Sequence, residues 1–157
     1  DWGKLQLTML SPQHSSGGDI NEDSCVLRIS DGNHSVLLTG DVQRQAEAEL
    51  TRLPASLLRS QILSSPHHGS RSSSSLEFIA AVAPDYVVHS AGYQNRWHHP
   101  HPEIVSRYIQ SQQWITATDG LISFEINQNS IDIKPFRRSQ PWYRKMDAWL
   151  ADDHQLK

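Results

Sequence analysis

Three short clusters hold most of the residue types able to do chemistry. In Leu37-Leu38-Thr39-Gly40-Asp41 an apolar run delivers a carboxylate just behind a glycine. Ligands of α/β sheets bind outside the carboxyl ends of strands. A carboxylate there can hold a metal ion, or it can N-cap a following helix. In Pro66-His67-His68-Gly69-Ser70 two imidazoles lie side by side between a short apolar strand and a serine-rich run. Neutral imidazole is the commonest metal ligand, glycine lets the backbone approach a ligand, and hydroxyls and amides at a helix start suit a phosphate oxygen. The bland alternative is a surface histidine pair. Asn95-Arg96-Trp97-His98-His99-Pro100-His101-Pro102 packs three histidines beside an arginine and a tryptophan. A guanidinium can fork onto phosphate and an indole can stack on a base, although a His-rich loop can also be incidental.

Together the clusters offer one Asp and up to five His. That ligand set, with a phosphodiester substrate, suits hydrolysis by two cations about 4 Å apart. No G-x-S-x-G elbow, Walker phosphate loop or Cys-pair zinc motif competes. Ser24 and Ser70 are nucleophiles by residue type only, with no acid–base partner marked beside them.

The elements that must position these residues follow from periodicity. Strands are expected over residues 4–10, 24–30 and 35–39, the last two joined at Asp31-Gly32-Asn33. A helix rich in Ala, Glu, Gln and Arg is expected over 42–52, stopped or kinked by Pro54. A buried strand follows at 61–65. Ser75 is the expected N-cap of a helix over 76–82. A strand is expected at 86–89, then an amphipathic helix at 103–112 with Ile104, Val105, Tyr108 and Ile109 inward. Strands at 114–118, 121–126 and 131–136 complete a mixed sheet with helices on one or both faces, and 142–150 has the composition of one more short helix.

The chain's 157 residues amount to one domain. Its apolar fraction of 37% is below the globular norm. A Ser-rich loop and polar tail account for part of this; the rest suggests apolar surface meant for something outside the chain. A net charge of −3 excludes a global basic field. Contact with nucleic acid must then be local or assisted by bound cations. The single cysteine, Cys25, excludes an internal disulfide and reads as a small core residue. No apolar run approaches the ~20 residues that span a bilayer, and no signal-peptide pattern opens the chain. The abrupt start at Asp1-Trp2-Gly3, with a strand almost at once, is what a segment of a larger protein would show.

From residue 4 to residue 136 these clusters, in this order, resemble the C-terminal metallo-β-lactamase-like domain of the ComEC family of DNA-internalisation proteins. The carriers are Asn21-Glu22-Asp23-Ser24-Cys25-Val26-Leu27, Leu38-Thr39-Gly40-Asp41, Pro66-His67-His68-Gly69-Ser70-Arg71-Ser72-Ser73-Ser74, Pro84-Asp85-Tyr86 and the 95–102 loop. The resemblance implies an α/β (α+β) fold, the αββα sandwich, with its C-terminal half in residues 1–136 and a helical or polar tail in 137–157. It implies a site of two divalent ions, Mn²⁺ or Zn²⁺. Asp41 is then the bridging carboxylate, His68 the last histidine ligand, both catalytic, and His67 an alternative or supporting group. Ser70, Arg71, Ser72, Asn95, Arg96, Trp97, His99 and His101 are the expected contacts to nucleic acid or phosphate.

Two departures matter. No histidine stands near Asn21, where many relatives place a ligand, and His14 is a poor substitute. The family's H-x-H-x-D-H signature is also absent. The chain alone is therefore expected to bind metal weakly or not at all and to lack nuclease activity. Expected partners are DNA, the N-terminal half of the domain, a membrane channel in a bacterial inner-membrane parent, and a second copy through the exposed sheet. The side of the membrane is not set. Two other functions stay open: a non-catalytic guide for single-stranded DNA working through Arg71, Arg96, Trp97 and the serine loop, and a different metallo-hydrolase such as a lactonase or thioesterase.

Overall fold

The computed structural model describes residues 5–12, 19–128 and 130–136. His14, the expected helix over 142–150 and the tail it belongs to lie outside the described residues. The elements run β1 (Gln6–Ser11), β2 (Val26–Ser30), β3 (Ser35–Leu38), α1 (Arg44–Leu50), α2 (Ala55–Leu58), β4 (Ile62–Ser64), α3 (Leu76–Val82), β5 (Tyr86–His89), α4 (Pro102–Arg107), β6 (Gln112–Ile115), α5 (Thr116–Asp119), β7 (Ile122–Ile126) and β8 (Ile131–Pro135). Short 3-10 turns cover Ile20–Asp23 and Pro66–Gly69. The class is mixed α/β.

Strands β1 to β6 form one sheet in sequence order. The β1–β2 and β2–β3 pairs are antiparallel, and β3 to β6 run parallel. The β2–β3 turn forms as expected. The Asp31 carboxylate accepts from the amides of Asn33 (2.8 Å) and His34 (2.6 Å), which holds its pKa below the usual range, and Gly32 takes a φ of 97°. Each parallel strand is reached by a helical crossover. The sheet residues Leu37, Leu63 and Val87 pair in register on one face, and all three are fully buried. Helices α1 to α4 cover that face with Ala46, Leu50, Leu58, Phe78, Val82 and Ile104.

The opposite face is also apolar. Val36, Ile62 and Tyr86 share it by register, as do Leu7 and Ile29. The β7–β8 hairpin covers its β5–β6 end, where Phe124 meets the rings of Tyr86 and Trp114. At the other end Leu7 (58%), Met9 (57%) and Leu38 (41%) stay exposed.

Several expectations are corrected here. Cys25 is exposed rather than in the core; Val26, next in the alternation, takes the buried place. The helix expected over 103–112 ends at Arg107, and Ile109 points to solvent at 82% exposure. Ile104 and Tyr108, four apart, form the inward stripe; Ile109 falls a further 100° around and leaves it. Residues 116–118 are a helical turn, not strand, because the Asp119 carboxylate accepts from the Ile115 amide at 2.9 Å and curls the chain back. The helix expected over 42–52 is shorter, and Pro54 opens α2 instead of only ending α1.

Candidate functional site

Asp41 lies three residues past β3. The Thr39 hydroxyl donates to the Ser64 carbonyl of β4 (2.8 Å), locking the two strand ends together. Gly40 turns the chain with a φ of 55°, so close to Ser24 that a Cβ would lie 3.1 Å from the serine's own. The Ser24 hydroxyl then accepts from the Asp41 amide at 3.2 Å. Asp41 is not the N-cap of α1: that position is Gln43. The exposed α1 amides are served by Glu22, whose carboxylate accepts from Gln43 (3.2 Å), Gln45 (3.3 Å) and Ala46 (2.8 Å). The Asp41 side chain is thereby left for another role.

The second cluster is folded against the first. The His67 amide donates to the Gly40 carbonyl at 3.0 Å. His67 and His68 adopt the left-handed conformation, with φ of 48° and 58°, a backbone cost of about 1–2 kcal/mol each. The serine run holds them there. The Ser73 hydroxyl donates to the carbonyls of Pro66 (2.8 Å) and Ser70 (3.0 Å), and the Ser72 hydroxyl sits 3.3 Å from His67 Nδ1. The run is itself clamped from three sides. Buried Glu47 of α1 accepts from the amides of Ser74 and Ser75, Arg107 donates to the Ser73 and Ser74 carbonyls, and the Tyr108 hydroxyl donates to Ser74 Oγ at 3.0 Å. Burial pushes the Glu47 carboxyl up and the two amides pull it back, while burial pushes the Tyr108 phenol well up. Ser75 caps α3 as expected, accepting from the Phe78 amide.

The third cluster closes over both. Asn95 pins its loop: its side chain accepts from the His99 amide (2.8 Å) and donates to the carbonyls of Gly92 (3.0 Å) and His99 (2.8 Å). The His101 amide donates to the Gly69 carbonyl at 3.0 Å. The His99 ring lies 5.9 Å from that of His67, 6.4 Å from His68 and 5.2 Å from His101. Partial burial, then the neighbouring His101, His67 and His68, lower the His99 pKa, against an opposing pull from Asp41. A neutral ring keeps its lone pair for a ligand.

The expected site residues therefore converge from three separate stretches of chain. Asp41 Oδ1 and His68 Nε2 are 3.2 Å apart, on side chains 39% and 47% exposed. The His67 and His99 rings lie 6.3 and 6.4 Å from that of His68, and His101 reaches the group through His99. Ser70 and Ser72, with hydroxyls 3.1 Å apart, stand at the rim beside His67. Arg71 reaches Glu103 at 3.3 Å. The Arg96 guanidinium lies 4.2 Å over the Trp97 ring. A cavity of about 160 Å³ opens between His68, Trp97, His99, Asn95 and the Ser90-Ala91-Gly92 run. Among the described residues no group of three or more His, Cys, Asp and Glu side chains is poised around one metal position.

Glu22, Glu47 and His89 support the site and were missed in the sequence. Glu47 had a signal: it interrupts the apolar stripe of Ala46 and Leu50. His89 had none. It is fully buried, its Nε2 lies 3.1 Å from Gln113 Oε1, and burial lowers its pKa.

No family model matches the chain. It is 32% identical over 148 residues to recombination protein 2 of Haemophilus influenzae, covering 92% of this chain and 18% of that protein. It is 32% identical over 146 residues to competence protein ComA of Neisseria gonorrhoeae, covering 92% of this chain and 21% of that protein. With ComE operon protein 3 of Bacillus subtilis the identity is 36% over 115 residues, 73% of this chain and 15% of that one. The chain thus spans about a fifth of the length of the curated relatives it matches, and it is homologous, over nearly all its own length, to one segment of these competence and recombination proteins.

Proposed function

We propose that the chain is part of a metal-dependent phosphodiesterase acting on DNA during its uptake, with Asp41 and His68 among the ligands of its metal centre. The observation that carries this is the 3.2 Å between Asp41 Oδ1 and His68 Nε2, at the carboxyl ends of adjacent parallel strands. Two donors each about 2.0–2.2 Å from one ion, at an angle of roughly 90–110°, lie about 2.8–3.6 Å apart. The pair fits one divalent ion, Mn²⁺ or Zn²⁺. Two donors do not complete a coordination sphere; in this proposal further ligands come from the rest of the parent protein, with water in the open positions. The relatives, several times longer than this chain, are consistent with that.

A divalent ion held there supplies positive charge to the scissile phosphate and acidifies a water. The chain's own residues do the rest. Asp41 and His68 would hold the ion, the serine run fixes the His67 ring through Ser72, and the Ser70 and Ser72 hydroxyls beside His67 are the donors nearest an incoming phosphate; Arg71 and Arg96 would have to leave Glu103 and Trp97 to reach it. A net charge of −3 makes that local arrangement the chain's means of attracting a polyanion. The exposed apolar face at Leu7, Met9 and Leu38 supports a sandwich of the metallo-β-lactamase type, in which a second sheet covers it. No helix among the described residues is long and apolar enough to cross a membrane; an inner-membrane location belongs to the parent protein in this proposal.

One observation favours a second reading. With only two donors in place, the domain could grip single-stranded DNA without cutting it. Mn²⁺ titration followed by NMR separates the readings. Substoichiometric Mn²⁺ is expected to broaden the signals of residues 39–42, 66–70 and 97–101 selectively and weakly in the isolated chain, and Asp41→Ala abolishes the effect. Broadening that is unselective, or unchanged in Asp41→Ala, removes the metal centre.

A further inference from the structure

We infer that the cavity beside His68 is a subsite for one unpaired nucleobase, stacked on Trp97, so that the strand presented to Asp41 and His68 is single. Three observations lead there. First, Trp97 leaves 57% of its surface exposed although its loop is held by Asn95. The three hydrogen bonds of Asn95 fix the loop, and Arg96 lies over the indole at 4.2 Å. An immobilised, exposed indole is a preformed stacking platform that loses little entropy on binding.

Second, the cavity has the size and lining for a base. It is a small, open cavity of about 160 Å³ with Trp97, the His99 ring, Ala91 and Gly92 among its walls. Trp97 and His99 are nearly parallel, at 22° with centroids 6.4 Å apart, so a flat ligand meets aligned π-surfaces. His68 forms the far wall, which puts the phosphate of the bound nucleotide next to the Asp41–His68 pair.

Third, the charge balance demands an attraction other than the backbone's. A chain of net charge −3 cannot hold a polyanion by a diffuse field. Stacking on aromatic side chains is a sequence-tolerant source of affinity for single strands that does not depend on net charge.

Which nucleotide is cut rests on the metal reading above, whereas base binding does not require the metal. The test is equilibrium binding to the 157-residue chain in excess chelator. The probes are a fluorescent oligothymidylate, an abasic strand of equal length and a blunt duplex. Oligothymidylate is expected to bind best. Trp97→Ala weakens it by roughly tenfold or more and leaves the abasic strand unaffected, and Trp97→Phe restores most of the loss. Equal weakening for thymidylate and abasic strands, no weakening, duplex binding as tight as single strand, or no binding of any probe overturns the subsite. Mn²⁺ broadening reads the other proposal separately. Base preference lost in the wild-type chain with selective broadening intact sinks the subsite alone; broadening that is unselective or unchanged in Asp41→Ala, with base preference intact, sinks the metal centre alone.

Discussion

Gly69 has a φ of 84°, and a Cβ built on it would lie 2.5 Å from Pro100 Cβ and 3.2 Å from His89 Nδ1. The 95–102 loop and the His67-His68 turn can meet only because that volume is empty. Gly69→Ala combines left-handed strain of about 1–2 kcal/mol with overpacking of about 1–3 kcal/mol. Urea denaturation is expected to show a loss of about 2–4 kcal/mol; an unchanged midpoint would mean that the loops are not in contact. At this scale residue type alone marked Asp41, His67, His68, His99 and His101 as candidates, and the fold brings them near one another. The sequence was silent on His89, because a buried neutral imidazole bonded to Gln113 owes its role to neighbours distant in the chain.

The parallel pairing of β3, β4 and β5 brings the three loops to one edge, and α1 and α3 keep them still. Glu47 links those helices, reaching from the middle of α1 to the two amides that open α3. Removing it in Glu47→Ala leaves buried donors unpaired, at about 1–3 kcal/mol each, and frees the serine run. Thermal or urea unfolding is expected to report a loss on the order of 3 kcal/mol; a variant as stable as wild type would show that water serves those amides equally well. Most strands, the Asp31 turn and the Ser75 cap could be read from periodicity and capping chemistry. The end of α4 could not. Tyr108 bonds Ser74, a partner 34 residues away in the chain, and the helix stops at Arg107 with Ile109 turned outward.

Among the described residues the helices cover one face of the sheet, and the other is covered only at its β5–β6 end. Leu7, Met9 and Leu38 remain exposed on it, beyond the reach of the β7–β8 hairpin. The low apolar fraction suggests surface meant for something outside the chain, and this face is the candidate for it. Sequence alone could not locate it, because Leu7 and Met9 alternate as core residues do and only the sheet register shows what faces them. The exposed part of the sheet, the Asp41–His68 pair and the one-fifth coverage of the relatives are what the proposed account rests on, in which this chain would contribute Asp41 and His68 as ligands to a larger phosphodiesterase. The most direct measurement is Mn²⁺-dependent cleavage of labelled single-stranded DNA by the complete protein that carries this segment, in wild type, Asp41→Ala and His68→Ala. The account predicts cleavage that chelator abolishes and that each substitution lowers by more than the roughly 10–100-fold typical of losing an outer partner of a metal ligand. Cleavage at the wild-type rate in either variant, or cleavage that persists in chelator, would contradict it.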